Sequence, residues 1–289
     1  MNRVDGKVCV ISGATQGLGA AIARRLAAAG AAGIVVTGRN EERGNAVAKD
    51  ITATSDVPAL FVRGDLASVE DCRRMIAETE KRFGRVNVLV NAGASTERGT
   101  ILDTSPDLFD KMFAINVRGP FFLMQEAVKL MIRDSIEGAI CNIGSMSALS
   151  GQPFINPYCA SKAALTTLTA NTAFSVMRNR IRVNQLNVGW MASDNEKALQ
   201  AAETGDPDWM EKAAARLPFG RLIDPEEAAR AVNFLVSDDA GLMTGAIVNF
   251  DQTVWGAAAG QMPLPDAPMT LAHGRSGPTR RCVFSRGSD

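Results

Sequence analysis

The chain has 289 residues, no formal net charge and 46% hydrophobic content. That length suits one α/β domain of ordinary size with a remainder. The neutral balance excludes the electrostatic footprint of a nucleic-acid binder or of a protein held on an anionic membrane.

Lys7 to Ile11 reads as a short buried strand. Ser12-Gly13-Ala14-Thr15-Gln16-Gly17-Leu18-Gly19 follows, then an alanine-rich helix from Leu18 to Ala29 that ends at Gly30. Ile34 to Thr37 is a second strand, which completes a βαβ unit with a glycine-rich first turn. Glycines in that turn let the backbone approach a pyrophosphate at the helix N-terminus. A lone glycine run is often a mere turn. Strand before and helix after make dinucleotide binding the better reading.

The alternation continues. Glu41 to Ser55 reads as a helix and Ala59 to Arg63 as a strand ending in Gly64-Asp65-Leu66. Ser68 to Phe83 is a helix with Ser68 as its N-cap. Val86 to Val90 is a strand that runs into Asn91-Ala92-Gly93. Pro106 to about Met131 reads as one long helix, and Gly138 to Ile143 as a strand ending near Ser145. Pro157 to Met177 is a second long helix, and Ile181 to Leu186 a strand. A variable region spans about 190–222. Pro225 to Val236 is a helix and Ala246 to Phe250 the last strand.

About seven strands alternating with helices predict a single-domain, doubly wound parallel sheet over residues 1–256, with helices on both faces. Ligands of such sheets sit beyond the strand C-terminal ends. The polar clusters at Ser12 to Gly19, Arg39, Asp65, Asn91 to Gly93, Ser145 and Asn187 to Ser193 all fall there. Residues 257–289, rich in Gly, Pro and Arg, read as an irregular C-terminal extension. Apolar runs are short and broken by glycine, so no membrane span is expected. The first residues leave no room for a signal peptide before the first strand, which sets the expectation of a cytoplasmic protein.

The chain holds five cysteines without C-x-x-C spacing and one histidine, His273. No metal site is expected from them, and Ser-His-Asp or Cys-His catalysis is close to excluded. Tyr158 is the single tyrosine. In a helix opened by Pro157 it shares a face with Lys162 one turn on, and Ser145 arrives from a strand end. A phenol, an ammonium and a hydroxyl so spaced make a proton-transfer device. The ammonium is expected to favour the phenolate and bring an ordinary phenol pKa of about 10 into the working range. The bland alternative is an exposed i,i+4 pair.

With these residues the chain resembles the short-chain dehydrogenase/reductase family from about Asp5 to Asp251. The likeness lies in Ser12-Gly13-Ala14-Thr15-Gln16-Gly17-Leu18-Gly19, Asn91-Ala92-Gly93, the mid-helix Asn116, Ser145, and the Tyr158-x3-Lys162 pair. Ser12 replaces the family's Thr and keeps its hydroxyl. The family's N-P-G-x3-T reads Asn187-Val188-Gly189-Trp190-Met191-Ala192-Ser193, and its Asp-Gly-Gly reads Asp251-Gln252-Thr253.

The resemblance implies a Rossmann-type fold and a nicotinamide cofactor. The glycine-turn residues, Asn91 to Gly93, Gly189, Met191 and Ser193 would hold that cofactor. Asp65 and Leu66 would flank its adenine. Tyr158 and Lys162 would bind its ribose side, Ser145 would hold the substrate oxygen, and Asn116 would hold a water of a proton relay. The end of the second strand reads Thr37-Gly38-Arg39-Asn40, without a carboxylate. Arg39 therefore favours NADP(H), with NAD(H) as the alternative.

Gln152, Thr96, Asn187, Trp190 and Trp255 are candidate pocket residues, a mixture suited to a sugar, polyol or small hydroxylated ring. The family implies that residues 190–222 form a lid. It also implies assembly through the two long helices, whose surplus of phenylalanine points to a homotetramer or a homodimer. The leading function is transfer of a hydride between a nicotinamide and a secondary alcohol or carbonyl. A catalytically silent NAD(P)-binding regulator or scaffold, and dehydration or epimerisation on a bound substrate, are the competing readings.

Overall fold

The computed structural model describes residues 3–257 and Met269. The expected extension at 257–289 therefore lies outside the described residues, apart from Ala257 and Met269, as do His273 and Cys282. The strands are β1 (Val8–Ser12), β2 (Gly33–Gly38), β3 (Ala59–Arg63), β4 (Val88–Asn91), β5 (Ala139–Ser145), β6 (Arg182–Val188) and β7 (Ile247–Phe250). They form one parallel sheet in the order β3-β2-β1-β4-β5-β6-β7.

Alternation along the strands builds two cores. Cys9 and Ile11 of β1 face one side and Val10 the other; Ile34 and Val36 of β2 are opposed by Val35 in the same way. Both sides are apolar, as a sheet covered by helices on each face requires. One side is closed by α1 (Gly17–Ala28), α2 (Glu41–Ser55) and α9 (Pro225–Val236). The other is closed by α3 (Val69–Phe83), α5 (Gly119–Arg133) and α6 (Asn156–Val176). Ile22 and Leu26 of α1 are fully buried against the sheet. Burying each such side chain contributes roughly 2 kcal/mol.

Local chemistry sets the helix ends. Asn40, Ser68 and Ser105 accept from the backbone N–H of Arg43, Asp71 and Leu108, at 2.8, 3.1 and 3.2 Å. Asp224 and Glu227 form a reciprocal capping box at the start of α9. The predicted bounds of α2, β3 and α9 agree with these ends.

The expected single helix from Pro106 to Met131 is corrected. It is α4 (Pro106–Phe113), a π-helical stretch at Ala114–Arg118, and then α5. Asn116 lies in that stretch and is fully buried. A π-turn widens the helix locally, and such bulges concentrate at functional sites.

Between β6 and α9 come α7 (Asp194–Thr204) and α8 (Trp209–Ala214). Trp209 and Ala213 of α8 pack with Leu222 in a small core of their own. Among the described residues, no helix is long and apolar enough to cross a membrane.

Candidate active site

The strand order reverses direction at β1 and β4, so the loops leaving their C-terminal ends diverge and open a crevice. The backbones that bound it are packed as closely as glycine permits. A side chain on Gly13, whose φ is +68°, would run into the backbone of Gly93, and one on Gly19 would strike the Gly13 carbonyl. The Ser12 hydroxyl accepts from Gly93 N–H at 3.4 Å and ties the two loops together. The cleft has a volume of about 1030 Å³.

The glycine turn, Arg39, Asp65, Leu66 and the Ala92-Gly93 turn all line this cleft, as do Met191 and Ser193. Such a concave backbone cradle, with helix α1 beginning at Gly17, fits a dinucleotide. Asn91 itself lies beneath it, buried and donating to the Asn142 side chain at 2.8 Å. Gly189 stacks on Asp251, where a Cβ would collide. Asp65 uses one carboxylate oxygen to accept from Ala67 N–H at 2.9 Å. Arg39 is exposed and makes no hydrogen bond among the described residues. Arg43, which sequence reasoning passed over, reaches back from the first turn of α2 to the Gln16 side chain.

Ser145 ends β5, and Tyr158 and Lys162 stand one turn apart on α6. The Ser145 side chain acts on the Tyr158 phenol, and Ser145 Oγ accepts from Ser147 N–H at 3.1 Å. Lys162 is buried; its Nζ donates to the Ile143 carbonyl at 2.7 Å and lies 5.8 Å from the centre of the Tyr158 ring.

Asn116 braces this group. Its side-chain amide accepts from Ser95 N–H at 2.8 Å and donates to Ser95 O at 2.9 Å. It also donates to Ser161 Oγ at 3.0 Å, and Ser161 donates in turn to the Tyr158 carbonyl at 2.8 Å.

Electrostatically, the expectation that Lys162 draws the phenol down is corrected. Burial is the largest influence on Tyr158 and pushes its pKa up. The Ser145 side chain pulls it down, Cys159 and Glu196 push it up, and Arg98 pulls it down. Burial also pushes Lys162 down to about 8. Both groups are thus biased toward their neutral forms.

The other expected pocket residues divide. Thr96 lines the cleft. Gln152 accepts from the Ser147 hydroxyl at 2.9 Å. Asn187 does not face the pocket: it is fully buried between the side chains of Gln185 and Asn249. Trp255 is half exposed beyond β7.

Trp190 is pinned at the exit of β6 by a parallel bridge between Met191 and Ile223, and its ring stacks on Trp209 at 6.0 Å. Gln252, where the family has glycine, holds the far stem of the same segment. It accepts from Phe219 N–H at 2.8 Å and donates to Arg221 O at 2.5 Å. Glu196 and Arg98 were not singled out from the sequence, because nothing in their local pattern announces that they approach Tyr158.

A family model described as enoyl-(acyl carrier protein) reductase matches residues 13–253. An uncharacterized oxidoreductase of Thermotoga maritima is 36% identical over 86% of this chain and 96% of its own. The sorbitol dehydrogenase of Cereibacter sphaeroides is 31% identical over 88% of this chain and 99% of its own. The crystal structure of L-sorbose reductase from Gluconobacter frateurii, complexed with NADPH and L-sorbose, is similar with a TM-score of 0.83 and 27% identity, covering 89% of this chain and 100% of that one.

Proposed function

The chain belongs to the short-chain dehydrogenase/reductase family and is an NAD(P)-dependent oxidoreductase of alcohol and carbonyl groups, and from that premise we propose how its residues divide the chemistry. The observation that carries the proposal is the meeting of Ser145, at the end of β5, with Tyr158 and Lys162 one turn apart on α6, whose Lys162 is anchored on the β5 carbonyl of Ile143.

When bound, the nicotinamide supplies the hydride for reduction or accepts it for oxidation. Ser145 holds the substrate oxygen by a hydrogen bond where negative charge develops. Tyr158 gives that oxygen its phenolic proton in reduction and recovers it in oxidation. Its raised pKa keeps the phenol protonated near neutral pH, which suits the donor role. Lys162 is held by Ile143 O against α6 and stabilises negative charge on the phenol oxygen in whichever fraction is ionised. Asn116, through Ser161, fixes the turn of α6 that carries Tyr158. A silent binding protein has no use for this arrangement.

NADP(H) is the favoured cofactor. Arg39 and Arg43 both line the cleft at the end of β2, where no carboxylate stands to accept from a ribose hydroxyl. The substrate class is a polyol, sugar or small hydroxylated carbonyl compound. The polar and indole lining around Trp190 supports it, and so do the names of the sorbitol and sorbose relatives.

A homotetramer, or a homodimer, assembled through α4, α5 and α6 is the favoured quaternary state. Phe113, Phe121 and Phe122 share an apolar groove there with Leu168 of α6. The test of the whole reading is a spectrophotometric screen of alcohols, polyols and carbonyls against NADP(H) and NAD(H), with Tyr158→Phe run in parallel.

A further inference from the structure

Ser145 ends β5, whereas Tyr158 and Lys162 ride on α6, so the site depends on how that helix is set against the sheet. Ala173 and Val176 anchor the far end of α6 in an apolar core. The turns after Tyr158 are docked differently. Lys162, Thr166 and Thr169 follow one another at i, i+4 and i+7, a spacing that puts them on one face. Polar groups of the sheet meet all three. Lys162 Nζ donates to Ile143 O of β5, as described above. Thr169 Oγ1 accepts from Asn142 Nδ2 of β5 at 2.9 Å, and Thr166 Oγ1 accepts from Gln185 Nε2 of β6 at 2.7 Å. Apolar packing has no preferred direction, so these hydrogen bonds set the rotation of this stretch of α6.

Gln185 is the side chain that joins the parts. It is fully buried. Besides Thr166, its Nε2 donates to Asn187 Oδ1 at 2.7 Å. Its Oε1 accepts from the Thr169 hydroxyl at 3.0 Å, a proton shared with Leu165 O at 2.8 Å. Thr166 in turn donates to Lys162 O at 3.1 Å, so one line of hydrogen bonds runs from β6 to the backbone of Lys162. The same amide lies against Gly144, the residue before Ser145: a side chain on Gly144 would strike both Gln185 and Asn187. A buried amide with both N–H groups donated and its oxygen filled imposes its geometry on what it touches.

We infer that Gln185 is a positioning residue for the catalytic group: its amide sets α6 against the end of β5, and so sets Tyr158 and Lys162 against Ser145. Gln185 does not line the cleft. It acts through the Thr166 hydroxyl on one side and the Gly144 backbone on the other. This inference rests on the oxidoreductase reading given above.

The test uses the full-length protein and Gln185→Met, which keeps the length of the side chain and removes the amide. Thr166→Val, which removes the hydroxyl at nearly constant shape, and Thr166→Ser, which keeps it, are run beside it with a substrate found in the screen. The melting temperature and NADPH binding by fluorescence establish that each variant is folded, and the Thr166 pair serves where Gln185→Met does not fold. Misplacing reacting groups costs turnover rather than cofactor affinity. In Gln185→Met and in Thr166→Val, kcat is expected to fall at least about ten-fold while the Kd for NADPH stays within about two-fold. Thr166→Ser should stay within about two-fold of wild type in kcat, and the double variant should be no slower than the slower single one, as steps of one route require. A filler role alone lowers the melting temperature and leaves kcat within about two-fold, which overturns the inference. Equal losses in Thr166→Val and Thr166→Ser, or losses that multiply in the double variant, overturn the route through the hydroxyl. Absence of turnover by the wild-type protein with any substrate and either cofactor overturns the oxidoreductase reading and this inference with it.

Discussion

Lys162 Nζ sits 5.8 Å from the centre of the Tyr158 ring and spends a hydrogen bond on the Ile143 carbonyl. The two groups are neighbours on one face of α6, yet burial dominates both. The phenol is pushed up and the ammonium is pushed down to about 8.

The depressed pKa of Lys162 makes stability depend on pH in a definite direction. Below about 8 the folded protein carries a buried ammonium and bears its full desolvation cost. Between about 8 and the ordinary 10.5 the unfolded state binds more protons than the folded one, so this contribution to stability improves as pH rises. The interval corresponds to roughly 3 kcal/mol. Urea unfolding of wild type and Lys162→Met from pH 7 to 10.5 is expected to show the difference shifting by that order in favour of wild type. The buried thiols of Cys9, Cys72 and Cys141, each raised to about 12, and Tyr158 act the opposite way in both proteins and cancel. A difference flat with pH contradicts the buried ammonium.

Arg39 projects from the end of β2 with no protein partner among the described residues. Arg39→Ala is expected to raise KM for NADP(H) by about ten-fold or more, the worth of one charge-assisted hydrogen bond. KM for NAD(H) should stay within about two-fold. Equal loss for both cofactors speaks against a 2′-phosphate contact.

Gln252 clamps the backbone at Phe219 and Arg221 with both ends of its amide. Gln252→Gly removes about 1 kcal/mol per hydrogen bond. Amide exchange at Phe219 should then accelerate about five-fold or more, with the strands of the sheet unaffected. Exchange unchanged at Phe219 means that the stem is held by other contacts, such as the Met191–Ile223 bridge.

Phe121 is 40% exposed on α5 and packs edge-on against Phe122. Phe121→Arg places a charge in the groove that α5 shares with α6. Sedimentation velocity is expected to show a smaller species than wild type. An unchanged mass removes this face as the assembly surface.

Much of this was legible from local chemistry. The bounds of α2 and α9 followed from Asn40 and Asp224, whose caps act within one turn. The placing of Ser145, Tyr158 and Lys162 at one strand end followed from the rule that ligands gather at the carboxyl edge of a parallel sheet. The π-helical stretch at Ala114–Arg118 was not legible, because periodicity over five residues cannot separate a wide turn from an ordinary one. Its cause is long-range: the Asn116 amide is bound to the backbone of Ser95. The sign of the Tyr158 shift was missed for the same kind of reason. Spacing puts Lys162 nearby, but only packing says how much water each group loses. Glu196 and Arg98 lie far apart along the chain, and only folding brings their charges to bear on Tyr158.

The central claim is that Tyr158 exchanges the proton with the substrate oxygen. Its most direct test is the steady-state rate of Tyr158→Phe, followed by absorbance of the reduced nicotinamide, beside wild type on a substrate found in the screen. The phenylalanine ring fills the same space and lacks only the hydroxyl, so NADPH should bind nearly as before. The account predicts that kcat falls by about 10²- to 10⁴-fold, the range for loss of a general acid or base. A variant that turns over at the wild-type rate contradicts it.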